Sequence, residues 1–282
     1  MITVTGATGN IGRTLTDLLV DAGEDVVAVS RHPRQAAGGR PGLRWAEGHV
    51  GDAASMRAPL AGARALFIVL GGELNAHGEN PESLLRAAAD AGVERVVLVS
   101  SQVGATRPEA PSHARLRAFE AAVRASGLDF TILRPGGFAS NAFAWADTIR
   151  TKRTVFAPFA DVALPVVDPA DIAAVAAKAL RENGHGGRVH ELTGPELISP
   201  RQQTAAISAA LGEEVTFVEL SREEAYEVMS RFMPREAAAG TLDVLGAPLP
   251  AELRISPDVE TALGRPAGGF GGWVRRNLPA FR

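Results

Sequence analysis

The sequence predicts an α/β fold in which a doubly wound parallel sheet is followed by a smaller, mainly helical lobe. Short apolar runs rich in β-branched residues alternate with segments of helical periodicity through the first half of the chain. These helical segments are about ten or more residues long, as a crossover between parallel strands requires. A glycine-rich turn separates the first run from the first helix. Because ligands of such sheets bind at the carboxyl ends of the strands, we look for functional residues there.

Six strands are predicted in the first half of the chain, each as an apolar run bounded by turn residues. They span 2–6, 25–30, 43–50, 65–70, 95–101 and 129–135. One helix is predicted directly after the glycine turn, and two more over about 81–91 and 113–126. Gly92 and Gly127 are placed to end these last two helices.

The second half of the chain is predicted to pack over the ligand-binding edge of the sheet. Within 166–181 a helix is expected that is started by Asp168 and has Pro169 at its first position, and one more strand over 188–194 is expected to join the sheet. We place a sheet domain over 1–150 and most of the second, substrate-binding lobe over 151–282. The sequence shows neither a repeat nor a low-complexity linker, so we expect the two parts to share an interface.

Composition limits the functional classes. With 46% hydrophobic residues in 282, the chain is typical of an ordinary soluble protein. Apolar runs stay below the roughly 18 residues of a membrane span, and Met1 leads directly into a strand, so we expect a cytoplasmic protein without a membrane partner. A net charge of −3 with scattered basic residues gives no reason to expect nucleic acid. Without cysteine, thiolate metal sites and cysteine nucleophiles are excluded, and we predict no metal.

The turn TGATGNIG, residues 5–12, predicts a dinucleotide site and with it a Rossmann-type domain over 1–150. Gly6 permits the tight turn, Gly9 lets the backbone approach a diphosphate, and Gly12 allows the helix to pack closely on the strand. The helix N-terminus then stabilises the negative charge. The spacing is G-x-x-G-x-x-G, and such a turn can also serve only as a turn. The other residues expected to contact the cofactor here are Thr8, Asn10 and Ile11.

The end of the second strand predicts NADPH rather than NADH. An NAD site places a carboxylate there for the ribose, but residues 30–34 contain no acid. Arg31 and Arg34 could hold a 2′-phosphate through charge-assisted hydrogen bonds, or they could be two solvated loop arginines. Asp52, just past the third strand, could accept a hydrogen bond from the adenine amino group, although aspartate is also common in turns.

Several motifs together resemble the atypical short-chain dehydrogenase/reductases, in particular their NmrA-like branch. They are TGATGNIG, the serine pair after the fifth strand, TILRPGGF leading to Asn141, VVDPADIA and LTGPE. The resemblance covers nearly the whole chain and implies the fold and NADP(H) more specifically than a reaction. Members include ketone and quinone reductases, among them tyrosine-less ketoreductases of aromatic polyketides, and regulatory proteins that bind the cofactor without turnover. Further cofactor contacts are expected from Leu70, Gly71, Pro135, Gly137 and Phe138.

The chain departs from the family at the catalytic helix. The usual short-chain reductase has a serine after the fifth strand and then Tyr-x-x-x-Lys, in which tyrosine is the acid/base and lysine holds the ribose. Ser100 and Ser101 stand where that serine belongs, but the helix carries His113 and Arg117 at the tyrosine and lysine positions. The only tyrosine is Tyr226, and the first 150 residues contain no lysine. The usual proton donor is therefore absent.

Several groups could replace the tyrosine. His113 titrates near neutrality and could supply the proton, or it could simply begin the helix. Arg117 could hold the ribose but stays protonated, or it could form a solvated stripe with Glu120, which we expect to be structural. Ser100 or Ser101 could polarise the carbonyl or only cap the strand end. Water, or a phenol of the substrate next to the carbonyl, could also deliver the proton.

The substrate pocket is expected from residues after the sixth strand. Phe138, Asn141 and Trp145 could line a flat apolar site, with Gln102 as a further donor; Trp145 and Phe143 could equally pack between the lobes. For three apolar residues of the second lobe we favour a core position over a lid: Met229, Phe232 and Met233. We expect an NADPH-dependent reductase of an aromatic ketone or quinone, such as a polyketide intermediate. A non-catalytic NADP(H) sensor and a broad-specificity quinone reductase are the alternatives, and the oligomeric state stays open.

Overall fold

A seven-stranded parallel sheet forms the centre of the computed structural model, which describes residues 1–33, 40–71 and 77–282. Strands are numbered in chain order, and those of this sheet are β1 (Ile2–Val4), β2 (Val26–Ser30), β3 (Leu43–Glu47), β4 (Ala65–Val69), β5 (Arg95–Val99), β6 (Asp129–Pro135) and β8 (Arg188–Leu192). Their order is β3-β2-β1-β4-β5-β6-β8, and every neighbouring pair is parallel. The order reverses at β1, because the chain runs outward through β2 to β3 on one side and from β4 to β8 on the other. The predicted fold class is confirmed.

Helices cover both faces of this sheet. On one face lie α1 (Asn10–Asp21), α7 (Pro169–Arg181) and α11 (Asp258–Leu263), and on the other α2 (Ala53–Leu60), α3 (Pro81–Asp90) and α5 (Ala114–Ala125). Side chains alternate along the strands between the two cores. In β4, for example, Phe67 faces the α1 side, whereas Leu66 and Ile68 face the α2 side. Burial on both faces explains why these strands read as continuous apolar runs.

The remaining elements of the described residues lie outside these two helical layers, most of them in the second lobe. They are α4 (Val103–Thr106), α6 (Ala146–Lys152), β7 (Thr154–Pro158), α8 (Pro200–Leu211), β9 (Thr216–Leu220), α9 (Arg222–Met229), α10 (Arg235–Gly246) and α12 (Phe270–Asn277), with 3-10 turns at Pro111–His113, Ala139–Trp145 and Leu278–Ala280. Of these, α4 and the turn at Pro111–His113 link β5 to α5. The predicted boundary near residue 150 stays a prediction.

Two features of the second lobe differ from expectation. β7 and β9 pair in parallel as a separate two-stranded sheet, where mainly helix was predicted. Phe232 is 83% exposed, so the core position favoured for it is wrong, while Met229 and Met233 are half-buried. Phe143 packs on Trp273 with ring centroids 4.9 Å apart, which supports the packing alternative for this residue.

The predicted strands extend further than the observed ones at several carboxyl ends. The predicted runs 2–6, 43–50 and 95–101 leave the sheet at Val4, Glu47 and Val99. The residues beyond these ends form turns at the carboxyl edge. In the described part of the chain, no helix has both the length and the apolar character needed to cross a bilayer.

Candidate cofactor cleft and active site

A cleft of about 360 Å³ opens at the carboxyl ends of β1, β2, β3 and β4, around the point where the strand order reverses. It is lined by Thr5, Gly6, Thr8, Gly9, Asn10, Ile11, Gly12, Val29, Ser30, Arg31, Gly48, His49, Val50, Val69, Leu70, Gly71 and Phe138. The structure thus brings together most of the residues predicted to contact the cofactor. Arg34 lies outside the described residues.

The glycine turn is packed so closely that side chains do not fit. Gly6 has a φ of +59°, and a Cβ on it would lie 2.6 Å from Cγ1 of Val69. A Cβ on Gly12 would lie 2.2 Å from the carbonyl oxygen of Gly6. The nitrogen of Gly9 donates to that same oxygen at 3.0 Å. The turn therefore lies directly against the first turn of α1, as the spacing of the glycines implies.

The N-terminus of α1 suits a diphosphate. Gly9 is the N-cap in extended conformation; no side chain of the described residues caps the helix, and its first turn contains no acid. The first N–H groups of an α-helix have no partner within the helix, and those of α1 belong to residues that line the cleft. Together with the positive end of the helix dipole, they fit the diphosphate of a dinucleotide.

The end of the cleft beside β2 and β3 contains the predicted Arg31 together with residues that were not predicted, among them His49 and Val50. Arg31 lies at the end of β2, exposed and on the cleft wall. His49 and Val50 line the cleft beyond β3, and their position directly after a strand was the signal that could have found them. Asp52 is the N-cap of α2, where its Oδ1 accepts hydrogen bonds from the nitrogens of Ala54 at 3.0 Å and Ser55 at 3.2 Å. Its predicted adenine contact therefore competes with a local cap.

The residues after β5 form a buried corner. The Ser100 nitrogen donates to the Leu133 carbonyl at 2.7 Å, and the Ser100 hydroxyl is buried without a well-formed hydrogen bond in the described part of the chain. The Ser101 hydroxyl accepts from the nitrogen of Val103, the first residue of α4, at 3.2 Å. Gln102 is buried, and its Nε2 donates to the Ala251 carbonyl at 3.1 Å. The Ser100 hydroxyl thus has no partner of strict hydrogen-bond geometry in the described residues but lies close enough to the Glu120 carboxylate to lower its pKa, whereas Ser101 and Gln102 have structural partners.

His113 and Arg117 lie beside this corner, outside the cleft lining. His113 directly precedes α5, is half-buried, and has its Nδ1 3.0 Å from the Ser112 hydroxyl. Burial lowers the pKa of the His113 imidazole and the Arg117 charge lowers it further, while Glu252 acts in the opposite direction. The ring is therefore mainly neutral at neutral pH. The Arg117 guanidinium donates to the Ala110 carbonyl at 2.9 Å and so fastens the loop before the helix.

Glu120 forms a two-point ion pair with Arg134 of β6. Nε donates to one carboxylate oxygen at 2.9 Å and Nη2 to the other at 2.6 Å. Burial raises the pKa of the Glu120 carboxyl, but the hydrogen bonds from Arg134 and Ser100 and the Arg134 charge more than offset this and hold the pKa below its usual value. The pair supports the structural role expected for Glu120.

The residues after β6 reach the cleft through one side chain. Phe138 lines it, and its backbone is bridged to that of Val167. The carbonyl of Pro135 accepts from the Gln102 nitrogen at 3.0 Å, and that of Gly137 from the Val167 nitrogen at 2.7 Å, and neither residue is among those that line the cleft. The remaining predicted substrate residues stand further along the 3-10 turn, with Asn141 exposed and Trp145 half-buried against the core of the second lobe.

Residues 6–183 match the model of a protein family described as NAD(P)H-binding. Among characterised relatives, the (4-alkanoyl-5-oxo-2,5-dihydrofuran-3-yl)methyl phosphate reductase of Streptomyces griseus is 36% identical over 100% of this chain and 99% of the relative. The NAD(P)H azoreductase of Xenophilus azovorans is 30% identical over 100% and 99%. The crystal structure of the quinone oxidoreductase QOR2 from Escherichia coli in complex with NADPH superimposes with a TM-score of 0.80 at 26% identity, covering 99% of this chain and 100% of that one.

The chain therefore belongs to this NAD(P)H-binding family, and it shares its fold with the QOR2 structure. Within that family it is an NAD(P)H-dependent reductase. The predicted family and cofactor are confirmed at this level.

Proposed function

We propose that this reductase uses NADPH to deliver hydride to a carbonyl of an aromatic ketone or quinone, with an aromatic polyketide intermediate as its substrate class. One observation carries the proposal. The glycine turn and Arg31 form a dinucleotide cleft, while the neighbouring helix α5 lacks the tyrosine and lysine that would protonate an ordinary alkoxide.

The residues of the chain divide the task between binding and orientation. Bound NADPH would supply the hydride, while the first turn of α1 holds its diphosphate and Arg31 its 2′-phosphate. Phe138 bounds the cleft where the acceptor approaches. In this proposal the Ser100 hydroxyl, which is buried beside the Glu120 carboxylate, donates a hydrogen bond to the acceptor oxygen and stabilises the charge that develops there. Gln102, Asn141 and Trp145 shape the far side of this substrate site.

The acid chemistry of the site favours a conjugated acceptor. Arg117 cannot release a proton, and the pKa of His113 is lowered, so its protonated form is scarce at neutral pH. A phenolate or a hydroquinone anion disperses the negative charge within the substrate and therefore depends less on an enzymic proton donor than an isolated alkoxide does. The relatives' names fit this reasoning, because a quinone, an azo compound and an alkanoyl-dihydrofuranone are all conjugated acceptors.

The test follows the consumption of NADPH by its nicotinamide absorbance while a panel of matched acceptors is offered one at a time. The panel contains simple quinones, polycyclic ketones with a phenol beside the carbonyl, the same ketones with that phenol methylated, and an aliphatic ketone. We expect turnover with the quinones and the free phenols, slower turnover with the methyl ethers, and none with the aliphatic ketone. Equal rates for phenols and methyl ethers would exclude the substrate as proton source.

The rival function is an NADP(H)-sensing regulator without chemistry, which the missing tyrosine and lysine favour. It predicts tight NADPH binding with no consumption across the whole panel. A broad-specificity quinone reductase is the enzymatic alternative, and it predicts turnover of all quinones but none of the polycyclic ketones.

A further inference from the structure

A carboxylate of the second lobe is buried at the junction with the active-site corner. Glu252 is 2% exposed, and its two oxygens accept four hydrogen bonds. The donors are the Thr106 hydroxyl at 2.7 Å, Arg107 Nε at 2.8 Å, Arg107 Nη2 at 2.9 Å and the Leu249 nitrogen at 2.8 Å. Three of these donors belong to α4 and the residue that follows it. The charge is therefore fully satisfied, and it joins two segments that lie far apart in the sequence.

Two further hydrogen bonds join the same segments. Arg107 Nη2 also donates to the Ala247 carbonyl at 2.8 Å, and Gln102 Nε2 donates to the Ala251 carbonyl at 3.1 Å. Residues 247–252 thus bind both ends of α4, one through Gln102 and the other through Arg107.

The segment so fastened is residues 100–113, which runs from Ser100 to His113. Its only helix, α4, has four residues, and so short a helix has little stability of its own. At the far end of the segment, α10 packs so closely that a Cβ on Gly240 would lie 3.0 Å from the Ser112 hydroxyl. The second lobe therefore holds the segment at both ends, through 247–252 and through α10.

We infer that Glu252 is a positioning residue for the active site: by fastening residues 100–113 to the second lobe, it sets where the Ser100 hydroxyl meets the acceptor. The inference rests on the proposed reductase function. Hydride transfer depends steeply on the placement of the acceptor, and a misplacement of about 1 Å can cost about a hundredfold in rate. The cleft that binds the cofactor is built from β1 to β4 and does not depend on this carboxylate.

The test substitutes Glu252→Gln, which keeps the shape of the side chain but removes its charge and places an amide donor against Arg107. The matched control is Glu227→Gln in the same lobe, since Glu227 forms an exposed ion pair with Arg235 at 3.1 Å. If Glu252→Gln does not fold, Thr106→Val removes one donor to the carboxylate and leaves its charge pair intact.

Amide hydrogen exchange tests the fastening without any substrate. We expect faster exchange in peptides covering 100–113 for Glu252→Gln, unchanged exchange in those covering the glycine turn, and no change in either for Glu227→Gln. Unchanged exchange over 100–113 would overturn the inference, whether or not the protein turns over a substrate. Absence of turnover in the wild type would overturn the proposed function alone.

Kinetics tests the positioning. We expect kcat to fall about ten- to hundredfold with an NADPH affinity within about twofold of the wild type, and the primary isotope effect with deuterated NADPH to rise as hydride transfer becomes more rate-limiting. A residue that matters only for folding would reduce the active fraction, which leaves the isotope effect and KM unchanged. That result would refute a positioning role.

Discussion

Replacing Gly12 by alanine tests the packing of the glycine turn on which the cofactor cleft depends. The new Cβ would lie 2.2 Å from the carbonyl oxygen of Gly6 and 2.9 Å from the Cα of Ala7. Because both are backbone atoms, they cannot rotate away, and α1 has to move from the turn. Overpacking of this kind costs about 1–3 kcal/mol, of which the higher helix propensity of alanine returns at most about 1 kcal/mol. We expect a net loss of about 1–2 kcal/mol, or a fall in Tm of about 2–8 °C.

The same displacement should lower the affinity for the cofactor more than it lowers the stability of the fold. The N–H groups of the first turn of α1 move with the helix, and one charge-assisted hydrogen bond contributes about 1.5–3 kcal/mol. NADPH affinity should therefore fall by about tenfold or more in calorimetric titration, and NADPH should raise the Tm of the variant less than that of the wild type.

Gly271→Ala is the matched control, since it also places an alanine within a helix. Its Cβ would lie 3.8 Å from Nη1 of Arg275 in α12, in ordinary contact, so it should stabilise the protein by about 0.5–1 kcal/mol and leave NADPH affinity unchanged. If Gly12→Ala matched the wild type in both Tm and NADPH affinity, the close packing of turn and helix would not be what forms the cleft.

Three other changes test the end of the cleft beside β2 and β3, the proton donor and the buried ion pair. Arg31→Asp should lower the affinity for NADPH by about tenfold or more in calorimetric titration and leave the affinity for NADH unchanged. The control is Arg44→Asp, on an exposed part of β3. An equal loss of affinity for both dinucleotides would contradict contact with the 2′-phosphate. If His113 is the acid, His113→Phe should lower kcat by roughly 10²–10⁴. Because the pKa of His113 lies below its ordinary value, wild-type kcat should then fall as pH rises through that lower pKa, and the variant should lose this dependence; a small loss would favour water or substrate as donor. Glu120→Gln leaves Arg134 without its counter-charge and should lower the free energy of unfolding, measured by urea denaturation, by about 2–3 kcal/mol. This is near the lower end for a broken buried pair because the Arg134 side chain is 22% exposed. A loss below about 1 kcal/mol would mean that solvent replaces the carboxylate.

The parts of the fold that could be predicted are those whose signal is local. β5 and β6 are buried on both faces, so their apolar runs are continuous and their assignment is secure. β7 and β9 are different, because they pair in parallel across more than fifty residues and expose Phe156 and Val218. Their sequences lack the continuous apolar runs of the central strands, and only the tertiary fold brings the two strands together.

The site divides in the same way. The glycines of the turn could be assigned because strand, turn and helix are adjacent in the sequence, so the geometry is decided within a few residues. Asp52 shows the opposite case, since an aspartate after a strand can contact a ligand or cap the next helix, and here its carboxylate caps α2. Glu252 could not be found at all, because its partner Arg107 lies 145 residues away and no motif marks a carboxylate that acts through such a contact.

The charges around α5 bear on the nature of the substrate. Arg107 and Arg134 each face a buried carboxylate, that of Glu252 and of Glu120, and the Arg117 guanidinium is turned toward the Ala110 carbonyl. Each of these cations is thus already engaged, and a negative charge that develops on the acceptor would not gain a new ion pair from any of them. A hydroxyl such as that of Ser100 can stabilise such a charge only in part, so the substrate itself has to disperse the rest. This is the electrostatic reason to expect a quinone or a phenolic ketone, and it holds whichever group finally supplies the proton.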